Sequence, residues 1–359
     1  MARRRGSISI FGQALLVGAV SGVLFLAALV LMTMPDRRAS LERGDSNPYA
    51  ALHTETPEDT AVEAVLFDAN SRAVPILCHH YFRANTTPLQ FVKILGALFL
   101  NLPLLGDMDL WTQTAASFEN QLSYLASEGY ASIGLEDLVL WQMGAKEIPA
   151  KSVVITIDDA DRSVLDHAYP LLERHGFKAT LFIVTSQVGR RWEGVDCLTW
   201  DDLKRLSDTG VFTIESHSHD LHRKVSTPEG RLPVFVAASL GVLDPAGYES
   251  WAQFVIDDLR KSRALIGEHI GREARFLAWP YGFANAPLDS LAVLAGFTST
   301  CTMRLGTNRR FLTDGGANAN GTAAGEARAT WPRHELRRLT VTARTSMNGF
   351  RKMLAEDGD

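Results

Sequence analysis

The sequence predicts an α/β domain built on parallel strands, and three observations predict it. Short apolar or β-branched runs alternate with segments of helical period, several helical segments stop at a glycine, and polar clusters directly follow the β-like runs. With 359 residues, 46% of them hydrophobic, the chain has ample material for a buried core.

The elements follow in order. Residues 74–77 are a short apolar run, and residues 115–128 place Phe118, Leu122, Leu125 and Ala126 at helical spacing before Gly129. Residues 152–157, Ser-Val-Val-Ile-Thr-Ile, have the β-branched character of a strand buried on both faces. A helix over 164–175 stops at Gly176, with a strand over 179–184 after it. A helix over 200–209 ends at Gly210 before a strand over 212–215. A long amphipathic helix over 251–270 precedes a strand at 275–278, a helix at 288–295 and a strand at 297–301. In parallel sheets and barrels of this kind, catalytic groups collect at the C-terminal ends of the strands.

The N-terminus carries a membrane signal. Arg3, Arg4 and Arg5 precede residues 8–34, which contain no charged residue. That run exceeds the roughly 20 residues needed to span a bilayer as a helix, and it is longer than the apolar core of a cleavable signal peptide. The expected organisation is a cytoplasmic leader and transmembrane anchor over 1–37, a polar linker over 38–63, the domain over 64–345 and a tail over 346–359. The three leading arginines outweigh Arg37 and Arg38, which places the domain outside the cytoplasm in a single-pass arrangement. Residues 88–106 carry only Lys93 and read either as a core helix or as a helix lying on the membrane surface. Residues 315–325 form a Gly/Ala/Asn-rich loop.

A net charge of -5, with no basic stripe beyond the leader, gives no sign of a nucleic-acid partner. Three scattered cysteines, Cys78, Cys197 and Cys301, are too few for a disulfide framework or a cysteine zinc site. They read as buried thiols, Cys78 lying close to a motif described below.

Three polar clusters fall where strands should end. In Thr156-Ile157-Asp158-Asp159-Ala160-Asp161, two adjacent carboxylates at a strand end can converge on one pocket, one holding a metal and the other free as a base. In Ser216-His217-Ser218-His219-Asp220-Leu221-His222, three of the chain's ten histidines fall within six residues. Two imidazoles and one carboxylate leave a coordination position open, as hydrolytic sites require, and a metal so held brings the pKa of water near 7. His219 competes with His222 for the second imidazole position. The third cluster, Trp279-Pro280-Tyr281-Gly282, reads either as an aromatic lip suited to a sugar ring or as a plain turn packed with aromatics.

Together and in this order the clusters resemble the polysaccharide deacetylase (NodB-homology) family of carbohydrate esterases over roughly residues 74–340. The family's Thr-Phe-Asp-Asp-Gly stands here as residues 156–160, and its Ser-His-Ser/Thr with a further histidine as residues 216–222. The Asp-Leu before His222, the Leu-Thr-Trp-Asp-Asp-Leu at 198–203 and the run 179–185 are similar to the branch that deacetylates poly-β-1,6-N-acetylglucosamine. The resemblance implies a distorted (β/α) barrel and a divalent metal, zinc first, with nickel or cobalt suited to the same donors. It implies Asp159, His217 and His222 as ligands and Asp158 as general base. Pro75-Ile76-Leu77-Cys78-His79-His80 is similar to the branch's Pro-Val-Leu-Met-Tyr-His, which implies His80 as general acid, with His334 as a second candidate. Arg333, in Trp331-Pro332-Arg333, would orient Asp158, and Trp279, Pro280 and Tyr281 would bind substrate. Two departures stand out: Ala160 replaces a glycine, which strains the turn if it needs a positive φ, and Asp161 adds a carboxylate that competes as a ligand or raises the pKa of Asp158. The implied activity is removal of N-acetyl groups from an N-acetylglucosamine polymer, with the membrane and exopolysaccharide synthesis or export machinery as candidate partners. Competing readings are a peptidoglycan or lipid-linked sugar as substrate, and a non-catalytic sugar-binding assembly protein.

Overall fold

A computed structural model describes residues 71–85, 107–192, 194–228, 230–244, 247, 249–304, 306, 308–311 and 335–355. The chain divides into two compact units, Met1–Ala50 with Thr86–Asp109, and Ala51–Asn85 with Leu110–Asp359. The elements below belong to the second. The expected anchor at 8–34, linker at 38–63, apolar segment at 88–106 and loop at 315–325 lie outside the described residues. Among the described residues, no helix is long and apolar enough to cross a membrane.

Eight strands pair in one parallel sheet: β1 (Ile76–His79), β2 (Ser152–Asp158), β3 (Ala179–Ile183), β4 (Phe212–Ser216), β5 (Phe276–Ala278), β6 (Ser299–Thr302), β7 (Glu335–Arg337) and β8 (Leu339–Thr340). Their spatial order is β7-β6-β5-β4-β3-β2-β1-β8, and a two-residue strand, Ala131–Ser132, adds to the start of β2. β7 and β8 stand at opposite ends of that order, yet only Arg338 separates them in the chain. The sheet therefore curls on itself, and the single run 335–340 nearly closes a barrel. It pairs with β6 through Cys301↔Leu336 and with β1 through Leu77↔Leu339.

Strand periodicity sorts the apolar residues into two layers. Ile76, Val154, Phe182, Phe276, Ala278, Cys301 and Leu336 form one cluster, which fills the barrel and continues into Ile133, Leu138 and Trp141. Their chain neighbours Leu77, Ile155, Leu181 and Leu277 belong to the other cluster. That outer layer packs under the helices α1 (Ala115–Ser127), α2 (Leu135–Gln142), α3 (Tyr169–His175), α4 (Trp200–Asp208), α5 (Val234–Ser239), α6 (Trp251–Ile270), α7 (Ala286–Leu294) and α8 (Met347–Ala355), although α2 mainly serves the first cluster. All seven residues of β2 are buried, as its β-branched run requires.

Two elements differ from the expectation. The helix read over 164–175 is a π-helical turn, Val164–Ala168, followed by α3. Pro170, which has no N–H to donate back along the helix, stands at the junction. The segment expected as a tail at 346–359 contains α8, whose Phe350 is fully buried in the outer core layer.

The turn after β5 is pinned from below. Asn285 caps α7 by accepting from the Leu288 N–H, and in the first turn of that helix Asp289 Oδ1 accepts from Trp279 Nε1 (2.9 Å) and Thr300 Oγ1 (2.7 Å). Burial, and secondarily Glu335, pushes the Asp289 carboxyl up to about 6. A carboxyl raised in the folded state stabilises the fold fully below its unfolded pKa, and that contribution is lost as pH rises toward the folded value. Asp289→Asn keeps an acceptor for both donors and cannot ionise. Relative to this variant, the wild type should lose on the order of 2–3 kcal/mol of stability between about pH 4 and pH 6. Urea midpoints of the two proteins across that range test this; a constant difference would refute it.

Candidate active site

The sheet delivers three motifs to the C-terminal ends of neighbouring strands: β2 runs into Asp158-Asp159, β4 into His217 and its loop, and β5 into Trp279-Pro280-Tyr281. Each motif leaves its strand by a sharp turn. Among the described residues, the four non-glycine residues with positive φ are Asp159 (71°), Ala160 (57°), Ser218 (73°) and Tyr281 (60°), and all four lie in these motifs. Such conformations cost on the order of 1–3 kcal/mol each and persist where neighbours fix them. Here the neighbours are visible. Leu198 N donates to Ala160 O (3.0 Å), Thr185 N to Ser218 O (3.2 Å), and Tyr281 Oη to His222 O (2.8 Å). Ala160 thus adopts the conformation a glycine would take without strain.

The left-handed turn at Asp159 lets both carboxylates converge. Asp159 Oδ1 lies 3.7 Å from His217 Nε2 and 3.5 Å from His222 Nε2, and among described atoms it has no hydrogen-bond partner. Tyr81 Oη donates to the other oxygen, Oδ2. His217 Nδ1 donates to Ala278 O (2.7 Å), which leaves Nε2 as the bare nitrogen facing Asp159. Burial holds His217 down to about 4 and His222 to about 3, so both rings are neutral at pH 7. One oxygen of Asp159 and one nitrogen each of His217 and His222 all lie within 4.8 Å of one another. A buried carboxylate oxygen without a partner and two neutral imidazoles aimed at it are the donors a divalent metal takes.

Asp158 is buried beside this trio. Its Oδ1 accepts from Arg338 Nη1 at 2.7 Å. Its Oδ2 faces His80 Nε2 at 3.9 Å, His217 Nε2 at 4.0 Å and the Cys78 thiol at 3.6 Å. Burial alone would raise the carboxyl, but Arg338, then His217 and His80, hold it well below the usual carboxylate range. Arg338, fully buried at the seam between β7 and β8, also approaches Thr302 O (3.3 Å) and lies over the Phe182 ring.

Arg333 and His334 lie outside the described residues; among those described, the arginine paired with Asp158 is Arg338. Trp279 is fully buried, donates to Asp289 and stacks near Phe235, and Pro280 is also buried. Both belong to the core, because β5 turns Ala278 into the barrel and therefore Trp279 outward under the helices. Tyr281 alone of the three lies half-buried against the site, its ring 4.4 Å from that of His222. His219 turns away from Asp159: its Nδ1 pairs with Thr185 Oγ1 (3.0 Å). Asp161 binds Ser163 through N (3.2 Å) and Oγ (2.6 Å) as a local cap, outside the trio. His79 packs on Phe118 and pairs with Gln113. All three cysteines are buried and free.

Sequence reasoning missed four residues. Besides Arg338 and Tyr81, Asp258 on α6 accepts from the backbone N–H groups of His219 and Asp220 (2.8 Å each) and so anchors the histidine loop. Trp192, on a hairpin formed by Arg191–Trp192 and Val195–Asp196, sets its ring edge-on to His222 at 4.8 Å.

Residues 145–300 match the family model described as polysaccharide deacetylase. Over that region the chain matches the polysaccharide deacetylase family. It is 27% identical over 220 residues to a poly-β-1,6-N-acetyl-D-glucosamine N-deacetylase of Staphylococcus aureus, covering 60% of this chain and 70% of the relative. A protein of the same name from Staphylococcus epidermidis is 23% identical over 264 residues, 73% of this chain and 79% of that one. The fold is similar to that of IcaB from Ammonifex degensii (TM-score 0.57, 23% identity, 80% of this chain and 97% of that chain). It is also similar to that of a de-N-acetylase from Aggregatibacter actinomycetemcomitans (TM-score 0.58, 19% identity, 79% and 100%). The matched region thus contains all three strand-end motifs.

Removing the cation while keeping the carboxylate tests the Asp158–Arg338 pair. Arg338→Met leaves Asp158 buried and uncompensated, which should cost about 3–5 kcal/mol of unfolding free energy. Chemical denaturation measures it; a loss below about 1 kcal/mol would show that Asp158 is compensated elsewhere.

Proposed function

We propose that this domain hydrolyses N-acetyl groups of an N-acetylglucosamine-containing polysaccharide, with a poly-β-1,6-N-acetylglucosamine-like exopolymer as the favoured substrate and a divalent metal held by Asp159, His217 and His222. The observation that carries the reading is the convergence of an Asp159 oxygen and two neutral imidazoles beside a carboxylate kept ionised by a buried arginine. When bound, a divalent ion supplies Lewis-acid polarisation of the acetyl carbonyl and lowers the pKa of water. Zinc suits these nitrogen and oxygen donors, as do nickel and cobalt.

The chain's own groups supply the rest. Asp158 is the general base: Arg338 fixes Oδ1, and Oδ2 remains directed into the site to take a proton from the attacking water. A C–O bond forms at the acetyl carbon, the C–N bond breaks, and the departing nitrogen needs a proton. His80 Nε2, which faces Asp158 Oδ2, is placed to hand it over, giving acetate and a free amine on the sugar. Burial keeps His80 below its ordinary pKa, so it acts as a relay for the proton that Asp158 collects. Tyr281 and Trp192, each packed against His222, offer aromatic surface to a sugar ring. The poly-β-1,6 preference draws its support from the names of the curated relatives. Placement of the domain outside the cytoplasm, beside polymer synthesis or export machinery, is drawn from the uncharged run 8–34 and from Arg3, Arg4 and Arg5 outweighing Arg37 and Arg38. Protease added to intact spheroplasts should degrade the domain, and protection would reverse the orientation.

The direct test is acetate release by the full chain from β-1,6- and β-1,4-linked N-acetylglucosamine oligomers. Release should stop on chelation, return with zinc, and fall about 100- to 10,000-fold in Asp158→Asn. Preference for the β-1,4 oligomer would move the substrate toward peptidoglycan-like chains. Bound metal without release from either oligomer would favour a lipid-linked sugar or a sugar-binding role.

A further inference from the structure

Asp158 has two close neighbours, and the proposed chemistry gives a role to only one of them, His80, leaving the Cys78 thiol idle. Cys78 Sγ lies 3.6 Å from Asp158 Oδ2, and His80 Nε2 lies 3.9 Å from the same oxygen. Sulfur, imidazole nitrogen and carboxylate oxygen sit within 4.8 Å of one another, and all three residues are buried. His80 is 8% exposed, its Nδ1 has no hydrogen-bond partner among described atoms, and its ring lies tilted against Trp111 at 4.5 Å. The carboxylate is divided between two tasks: Arg338 holds Oδ1, while Cys78 and His80 gather at Oδ2.

We propose that Cys78, His80 and Asp158 form a second ion site, selective for soft, thiophilic divalent ions, whose occupation switches the enzyme off. Thiolate and imidazole donors favour zinc and cadmium, whereas magnesium and calcium require oxygen ligands. Ligation drives the thiol proton into solvent. The incoming divalent charge, less the thiolate, adds one net positive charge beside Arg338. An ion gaining no strong bond to sulfur cannot offset that repulsion, so selectivity follows from electrostatics as well as donor softness. The consequence for turnover is direct, because the ion takes the Asp158 oxygen and the His80 nitrogen that move protons. The ion site stands on its geometry alone, whereas the inhibition rests on the deacetylase reading above.

The test titrates the metal-free full chain with cadmium, then with zinc. The wild type should bind two ions, one accompanied by a thiolate-to-cadmium charge-transfer band in the ultraviolet. Cys78→Ala should bind one ion with no band, while Cys197→Ala and Cys301→Ala should keep both. His217→Ala should weaken the first ion and retain the band. In the acetate assay, zinc beyond one equivalent should slow the wild type by about 100-fold and Cys78→Ala by less than about twofold. Absence of the band in wild type, or its survival in Cys78→Ala, overturns the proposal. Should Cys78→Ala fail to fold, His80→Gln decides: it keeps the thiol and should weaken the banded ion at least about tenfold, and unchanged affinity refutes the site. If no variant releases acetate, the deacetylase reading fails, while stoichiometry and the band still judge the ion site.

Discussion

A guanidinium and a carboxylate, both sealed inside a barrel, hold this site together. Either charge, that of Arg338 or of Asp158, left alone at such depth would cost several kcal/mol. Paired at 2.7 Å they neutralise one another. The pairing also fixes geometry, because Arg338 is the one residue between β7 and β8 and so marks where the sheet meets itself. The ion pair that sets the protonation state of Asp158 is therefore also part of the fold's closure.

Around that pair, strain and support are interleaved. The chain turns left-handed at Asp159, Ala160, Ser218 and Tyr281, and each turn redirects a side chain or loop that would otherwise continue along its strand. The restraint comes from buried polar groups on other elements. Asp258 reaches from α6 to two successive backbone N–H groups of the histidine loop. Glu215, at the end of β4, accepts from Arg272 and from the backbone of Arg275 and Phe276, tying β4 to β5 where the two strands share only the Leu277↔Ser216 pair. Burial raises the carboxyl of both Asp258, to about 7, and Glu215, so these supports are themselves costly to bury.

What could be read from the sequence was local. Asp158-Asp159 and His217 with His222 are contiguous strings following β-branched runs, and a strand end is where a parallel sheet exposes its functional groups. The helix end at Gly176 is marked by the residue that adopts the left-handed cap. What escaped was long-range or a matter of register. Arg338 lies 180 residues from Asp158, within a basic stretch where only the two-residue period of a strand decides which side chain enters the barrel. The same alternation places Trp279 in the core; an aromatic beside a turn looks like a sugar platform unless the inner and outer faces of its strand are known. Asp258 gave no signal, since one acid on an amphipathic helix looks like any solvated residue.

Closure of the barrel by the run 335–340 has a consequence for the order in which the site matures during synthesis. The three candidate ligands span only residues 159 to 222, on strands that neighbour one another through β3. A nascent chain that has emerged through His222 already holds every donor of the metal trio. The cation that compensates Asp158 is still to be translated. Long-range contacts form late and slowly, so the half-made barrel passes through an interval in which it can capture an ion before its base has been tuned. An ion bound then would take over part of the compensation of Asp158 until Arg338 arrives.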